Sequence, residues 1–290
     1  MGRLNNKDDT FEMIKINEIA ARGVLYIAFG ERYIEELRVS VKSLRTVSPQ
    51  LGIAVVTDHL IADLENVQFI LQPPIRSLES KPAYMICAPF AQTMYLDTDT
   101  YIARDIEPLF GLLDFYDFLA QWGGARFGSN DGLDCHARIH SGMMIFKRTI
   151  NLIPVFENWL SLYKDEKLKT GDLNLADERS LTECLARSQL RLGVLPPYAQ
   201  IGLNAPWVFF APPMVLHGRP RSFEALSRHI NQGWNPATDW APRIWLPNLQ
   251  GLLPRGLRRS DPLLGLALVG RRLWNELRYW LEAITSQLYK

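Results

Sequence analysis

The chain has 290 residues, with 32 lysines and arginines against 31 aspartates and glutamates, for a formal net charge of +1; 47% of residues are hydrophobic and 22% charged. That much apolar surface excludes a dominantly disordered chain, and a chain of this length needs no disulfide or metal merely to fold. The near balance of charge excludes a dedicated nucleic-acid binder, whose phosphate contacts demand a basic excess. The balance is nonetheless a sum of unlike parts. Residues 254–290 carry seven basic against three acidic side chains, and six of the eight tryptophans lie beyond residue 200.

In chain order, Val24 to Phe29 is a short apolar run ending at Gly30 and reads as a buried strand. Ile34, Leu37, Val41 and Leu44 then recur at helical spacing, and Ser48-Pro49 stops the helix. Ile53 to Val56 is a second buried strand, closed by Thr57-Asp58, and Val67 to Leu71 a third, closed by Pro73-Pro74. Strand, helix and strand at this spacing predict an α/β fold with a largely parallel sheet flanked by helices. Ser80-Lys81-Pro82 opens a short helix running to Ala88, since proline is best tolerated in the first turn.

Thr93 to Leu96 is a strand that runs into Asp97-Thr98-Asp99. A further strand spans Ser141 to Phe146, and a helix around Ile153 to Tyr163 buries Val155, Phe156, Trp159 and Leu160. The next helix is expected to open at Asp177, a good N-cap residue, with Leu181, Cys184 and Leu185 on one face. From residue 195 onward the chain holds eleven of its eighteen prolines and few periodic runs. The expected division is a leader over 1–22, a domain over 23–250 and a basic amphipathic helical tail over 251–290.

Cys87, Cys135 and Cys184 are far apart and odd in number, so they suggest neither a disulfide framework nor a zinc site. The N-terminus has no apolar signal core, and the longest apolar stretch, Pro262 to Gly270, is far short of the ~20 residues of a spanning helix. A cytoplasmic location is expected.

Asp97-Thr98-Asp99 is the strongest chemical signal. In an extended segment residues i and i+2 share a side, so the two carboxylates converge. Hard oxygen ligands at the carboxyl end of a buried strand suit Mn²⁺ or Mg²⁺, which can also take phosphate oxygens. The bland alternative is a loop with two solvated aspartates.

Pro89-Phe90, Thr93, Tyr95-Leu96-Asp97-Thr98-Asp99-Thr100, Asp105-Ile106 and Leu109-Phe110 together resemble the core of GT-A-fold glycosyltransferases. The similarity is to nucleotide-diphospho-sugar transferases, distantly to the glycogenin and lipopolysaccharide-galactosyltransferase family. It continues through Ser141-Gly142, Asp177, Leu195-Pro196-Pro197 and Leu216-His217-Gly218-Arg219 in the same order. The resemblance implies a GT-A, Rossmann-like sheet and sugar transfer from a nucleotide-diphosphate donor, UDP-linked, to a glycan or lipid-linked acceptor, with a lean to retention.

The resemblance also implies roles. Ala28, Phe29, Gly30 and Tyr33 would line the base, Asp58 the uridine or ribose, and Lys81 the sugar or phosphates. Asp97, Thr98 and Asp99 would meet the ribose, phosphates and ion, with His217 completing an Asp97–Asp99–His217 metal site. His140, Ser141 and Gly142 would face the sugar, Gly218 and Arg219 the diphosphate. Asp177 and Glu178 are the catalytic candidates. His140 stands where the family has Asn, and Glu178 where it has Gln. Arg221 would be a second arginine for the diphosphate. Each residue has a structural reading beside this one: a turn at Ala28 to Gly30, a cap at Asp58 or Asp177, a solvated Lys81, a core His217.

In the tail, Leu266, Val269, Leu273, Leu277, Trp280, Ile284 and Leu288 form one apolar stripe flanked by Arg271, Arg272 and Arg278. Such a helix suits an anionic membrane surface, which would make the protein peripheral on the inner face. The stripe equally suits packing on the catalytic domain or on a second copy in a homo-oligomer. Two other functions stay open: a non-catalytic membrane or assembly module, and a sugar-phosphate nucleotidyltransferase. The latter wants a Gly-rich basic loop where this chain has Gly30-Glu31-Arg32.

Overall fold

A computed structural model describes residues 21–75, 77–122, 139–171, 173–204, 207–232, 234, 243–246 and 251–252. The expected leader and the amphipathic tail beyond 252 lie outside the described residues, apart from the start of the first strand.

The first half alternates as expected: β1 (Arg22–Ile27), α1 (Glu31–Val47), β2 (Gly52–Thr57), β3 (Gln68–Leu71), α2 (Ser80–Tyr84), β4 (Gln92–Leu96). Gly30 turns the chain from β1 into α1 at φ 93°, a left-handed conformation that a side chain would strain. The helix expected to reach Ala88 tightens after α2 into a 3₁₀ turn over Met85–Cys87. β5 (Thr100–Ile102) and a 3₁₀ run over Glu107–Asp114 precede β6 (Phe118–Trp122), β7 (Ile139–Lys147), α3 (Ile153–Thr170) and α4 (Leu173–Ala186).

One expectation needs correction here. Asp177 does not open α4; it is the fifth residue of that helix. The real break is Gly171, left-handed at φ 67°, which ends α3 and lets the chain restart at once.

A seven-stranded sheet runs in the order β3-β2-β1-β4-β7-β6-β8, the last strand being Leu192–Val194. β3, β2, β1 and β4 are mutually parallel, with Val24 opposite both Ile53 and Met94. β7 enters antiparallel between β4 and β6, placing Leu96 opposite Met143. Both faces are covered, which is why the strands are apolar throughout. Tyr26, Val55, Met94 and Ile145 pack towards α1. Their neighbours Leu25, Ala54, Tyr95 and Met144 pack on the other side with Trp159 of α3 and Leu181 of α4.

The proline-rich stretch also forms strands, which short runs between prolines conceal from periodicity. β9 (Gln200–Gly202), β10 (Trp207–Phe209), β11 (Val215–His217), α5 (Phe223–Asn231), β12 (Arg243–Leu246) and β13 (Gly251–Leu252) follow. β11 pairs antiparallel with β5 and parallel with β9; β12 joins β10 to β13. Residues 251–252 therefore pair with the sheet rather than opening the tail. Among the described residues no helix is long and apolar enough to cross a membrane.

Candidate active site

Asp97 to Asp99 is the turn between β4 and β5, not the extended segment expected, and three backbone anchors hold it. The Asp97 N–H donates to the Gly142 carbonyl (3.0 Å), and the Gly218 N–H donates to the Asp99 carbonyl (2.9 Å). The Thr100 hydroxyl donates to the Asp97 carbonyl at 2.8 Å. Thr98 turns towards α1, where its hydroxyl donates to Glu36 Oε2 at 3.2 Å. The two carboxylates are left on one side.

His217 arrives by strand pairing: it sits opposite Thr100 in the β11–β5 ladder. Its Nε2 lies 3.1 Å from Asp99 Oδ1 and 3.5 Å from Asp97 Oδ2. One donor atom from each of Asp97, Asp99 and His217 falls within 4.8 Å of the others. The His140 and His217 rings meet edge to face with centroids 5.2 Å apart, and both crowd onto Gly142. A Cβ at Gly142 would stand 2.5 Å from His217 Cε1, so the glycine is what lets the imidazole approach the aspartates. The Tyr95 hydroxyl fixes Asp97 from behind, donating to Oδ1 at 2.7 Å. Two carboxylates and one imidazole on rigid backbone fit a divalent ion.

Cations already surround these acids. Lys81 of α2 is buried; its Nζ donates to Ser141 Oγ (2.9 Å) and Asp177 Oδ2 (3.2 Å), and lies 3.2 Å from Asp97 Oδ1. The Ser141 hydroxyl donates to the same Asp177 oxygen at 2.5 Å. Asp177 Oδ1 is left buried with no partner. Trp159 anchors this part of α4 by donating its indole N–H to the Asp177 carbonyl at 3.2 Å. Arg219 bridges Asp99 Oδ2 (2.9 Å) and Glu36 (2.6 and 3.1 Å).

The electrostatics follow from these contacts. Burial pushes Asp97 up, but Lys81 and then His217 outweigh it and hold the carboxyl at about 2. Burial also opposes the charge of Asp99, which the hydrogen bond and charge of His217 keep below its usual value. For His217 burial disfavours the cation, yet the Asp99 hydrogen bond and the Asp97 charge raise it. Burial, then His217, pushes His140 down to about 4. The His140 ring is therefore neutral at pH 7, and Nδ1 accepts the Gly142 N–H at 3.2 Å, which puts the ring proton on Nε2. Burial raises Asp177 despite Lys81 and Ser141.

These side chains wall a cleft of about 640 Å³. Of the sequence-predicted residues, Phe29, Tyr33, Lys81, Asp97, Thr98 and Asp99 line it. So do His140, Ser141, Gly142, Asp177, Glu178, His217 and Arg219. Five predicted contacts are not among its walls, one of them Arg221. Ala28 is 1% exposed and belongs to the core. Gly30 and Gly218 act through their backbone, the latter at φ 137° to meet Asp99. Asp58 hydrogen-bonds His59 Nδ1 at 2.8 Å instead.

Sequence reasoning missed Glu36 and the hydroxyl of Tyr95. A signal for Glu36 existed: Arg32, Glu36, Ser40 and Ser43 make a polar stripe beside the apolar face of α1. Ser40 and Ser43 are buried, the former 2.9 Å from the Thr100 hydroxyl and the latter accepting the Ile102 N–H at 2.9 Å. They stitch α1 to the segment that carries the aspartates.

No protein-family model and no curated relative matches the sequence. Solved structures do resemble the chain. LgtC, solved as an active-site mutant, is 14% identical over 74% of this chain and 84% of its own, with a TM-score of 0.45. The glycosyltransferase GlyE of Streptococcus pneumoniae TIGR4 is 15% identical over 69% of this chain, with a TM-score of 0.48; the match spans 55% of GlyE. Mouse xyloside xylosyltransferase 1 is 12% identical over 62% of this chain and 87% of its own, with a TM-score of 0.44. At such identities the likeness concerns the path of the chain, and the chemistry has to be argued from the residues in the cleft.

Proposed function

We propose that this protein is a divalent-metal-dependent glycosyltransferase that moves a sugar from a UDP-linked donor to a glycan or lipid-linked acceptor. The observation that carries this reading is the convergence of Asp97, Asp99 and His217 in a cleft whose other walls include the cations Lys81 and Arg219 and the aromatic residues Phe29 and Tyr33. A divalent ion held by these three side chains would neutralise the charge that develops on the departing diphosphate.

The remaining walls divide the labour. Tyr33, an exposed ring, suits the base, with the buried Phe29 in the wall beside it. Arg219 presents a planar fork suited to phosphate oxygens. Ser141, His140 and the free oxygen of Asp177 suit sugar hydroxyls. Asp177 is already engaged by Lys81 and Ser141, which makes it a poor nucleophile and better placed to orient the sugar. Retention then proceeds on one face: the acceptor oxygen bonds to the anomeric carbon, the bond to the diphosphate breaks, and the acceptor proton leaves on a phosphate oxygen. The domain over 23–250, a cytoplasmic location and a tail docked on an anionic membrane or on a second copy complete the proposal.

The test is Mn²⁺-dependent hydrolysis across a panel of nucleotide sugars, which reads the donor without knowing the acceptor. One UDP-sugar should be turned over, with loss of at least about 100-fold in the Asp97→Ala, Asp99→Ala double variant. Undiminished turnover in that variant would sink the reading.

A further inference from the structure

The two arginines of the Gly218-Arg219-Pro220-Arg221 segment are placed differently. Arg219 walls the donor cleft. Arg221 is absent from those walls and instead lines a second pocket of about 520 Å³ beyond them. Pro220 separates the two and Ser222 follows as the N-cap of α5, accepting the Ala225 N–H at 3.3 Å. One face of α5 belongs to the interior: Phe223 stacks on Tyr101 at 5.4 Å and Ile230 is fully buried. The adjoining side of the helix lends Ala225, Leu226 and His229 to the second pocket, Leu226 also packing against that interior cluster.

Three features give this pocket its chemistry. Its ionisable lining is Arg219, Arg221 and His229, with no carboxylate among the lining residues. Arg219 is already paired, but Arg221 and His229 have no hydrogen-bond or ion-pair partner among the described residues. The floor is apolar and rigid: Trp245 is buried, and its indole N–H is fixed on the Leu203 carbonyl at 3.0 Å. An unpaired guanidinium and an imidazole beside an apolar, aromatic floor suit a sugar ring that bears an anion, the arginine fork meeting its phosphate. The volume is in the range of a monosaccharide-sized site. Asn204 and Arg219 wall both this pocket and the donor cleft, so a ligand seated here abuts the donor.

We propose that the second pocket binds the acceptor, a saccharide carrying a phosphate group, with Arg221 and His229 on the phosphate and the sugar next to Asn204. This rests on the glycosyltransferase reading for its catalytic meaning. The phosphate can belong to a free sugar phosphate or to a lipid carrier, and the chemistry recognised is the same.

The experiment is calorimetric titration of the whole chain with glucose 1-phosphate, inorganic phosphate and glucose, with and without saturating UDP and Mn²⁺. The expected result is that the two phosphates bind, glucose does not, and UDP with Mn²⁺ leaves their binding in place. The Arg221→Ser, His229→Gln variant should weaken phosphate binding by about tenfold or more while UDP still binds. Both side chains are exposed, so the fold is not at risk, and an unchanged melting temperature checks it. Equal phosphate affinity in wild type and variant, no phosphate binding to either, or complete displacement by UDP overturns the pocket. Failure of UDP to bind while the double variant still loses phosphate overturns the transferase reading but leaves the binding site. In a second arm, a short prenyl diphosphate hexose in micelles is compared with glucose 1-phosphate. Tighter binding of the prenyl compound assigns the lipid carrier, and equal binding the free sugar phosphate.

Discussion

Replacing Gly142 with alanine tests the metal site through the backbone rather than through its ligands. The added Cβ would stand 2.5 Å from His217 Cε1, 2.9 Å from His217 Nδ1 and 2.7 Å from His140 Cε1. Ordinary carbon contacts begin near 3.5 Å, so the His217 ring must retreat by about 1 Å. Neither ring is a flexible chain end: His217 is held in the β11–β5 ladder and His140 through its own Nδ1. A displacement of that size takes Nε2 out of the arrangement with Asp97 and Asp99 and costs on the order of 100-fold in turnover. Overpacking at this point should lower stability by about 1–3 kcal/mol. Mn²⁺ affinity by electron paramagnetic resonance, UDP-sugar hydrolysis and denaturant unfolding read the three quantities. Adding His140→Ala should not rescue binding, because the closer clash is with His217. Native Mn²⁺ affinity in Gly142→Ala would refute the argument that the glycine sets the approach of His217.

Two further outcomes are expected. Glu36→Gln weakens the hold on Arg219 and Thr98, so KM for the donor should rise several-fold with less change in kcat, and titration calorimetry with UDP should show the same loss. Asp117 accepts both Arg191 guanidinium nitrogens at 2.7 and 3.1 Å and its backbone N–H at 3.0 Å, joining the start of β6 to the loop before β8. The Arg191 hydrogen bonds hold its carboxyl at about 2, below the unfolded value of about 3.9. The stability it contributes is therefore present above pH ~4 and lost as pH falls through ~2. Asp117→Asn should flatten the acid limb of the unfolding curve in that window, by less than about 1 kcal/mol for so exposed a pair. An unchanged limb would show that the pair adds nothing.

The parts of the site legible in the sequence are those with local signatures. The aspartate pair was marked by its apolar lead-in, Tyr95-Leu96, and Lys81 by its place before Pro82. For Glu36 the only signal was the polar stripe of α1, because a carboxylate on a polar helix face looks the same whether it meets solvent or Arg219, 183 residues away. Asp177 was legible as an important acid but misplaced as a cap, since its role comes from Lys81 and Ser141, which are distant in sequence.

By itself the sequence determined the alternation of strands and helices up to Leu96 and again from Ser141 to Ala186, though not β5 and β6 between, because both faces of a covered parallel sheet must be apolar and the residues between must break the run. It also determined which side chains could hold a cation. Only the tertiary structure decided that His217 reaches Asp97 and Asp99, because that meeting needs β11 to pair antiparallel with β5 across more than a hundred residues. It likewise decided that Arg221, two positions beyond Arg219, lines the second pocket and not the donor cleft. Strand register and the turn into α5 set those placements, and no local pattern of residues encodes them.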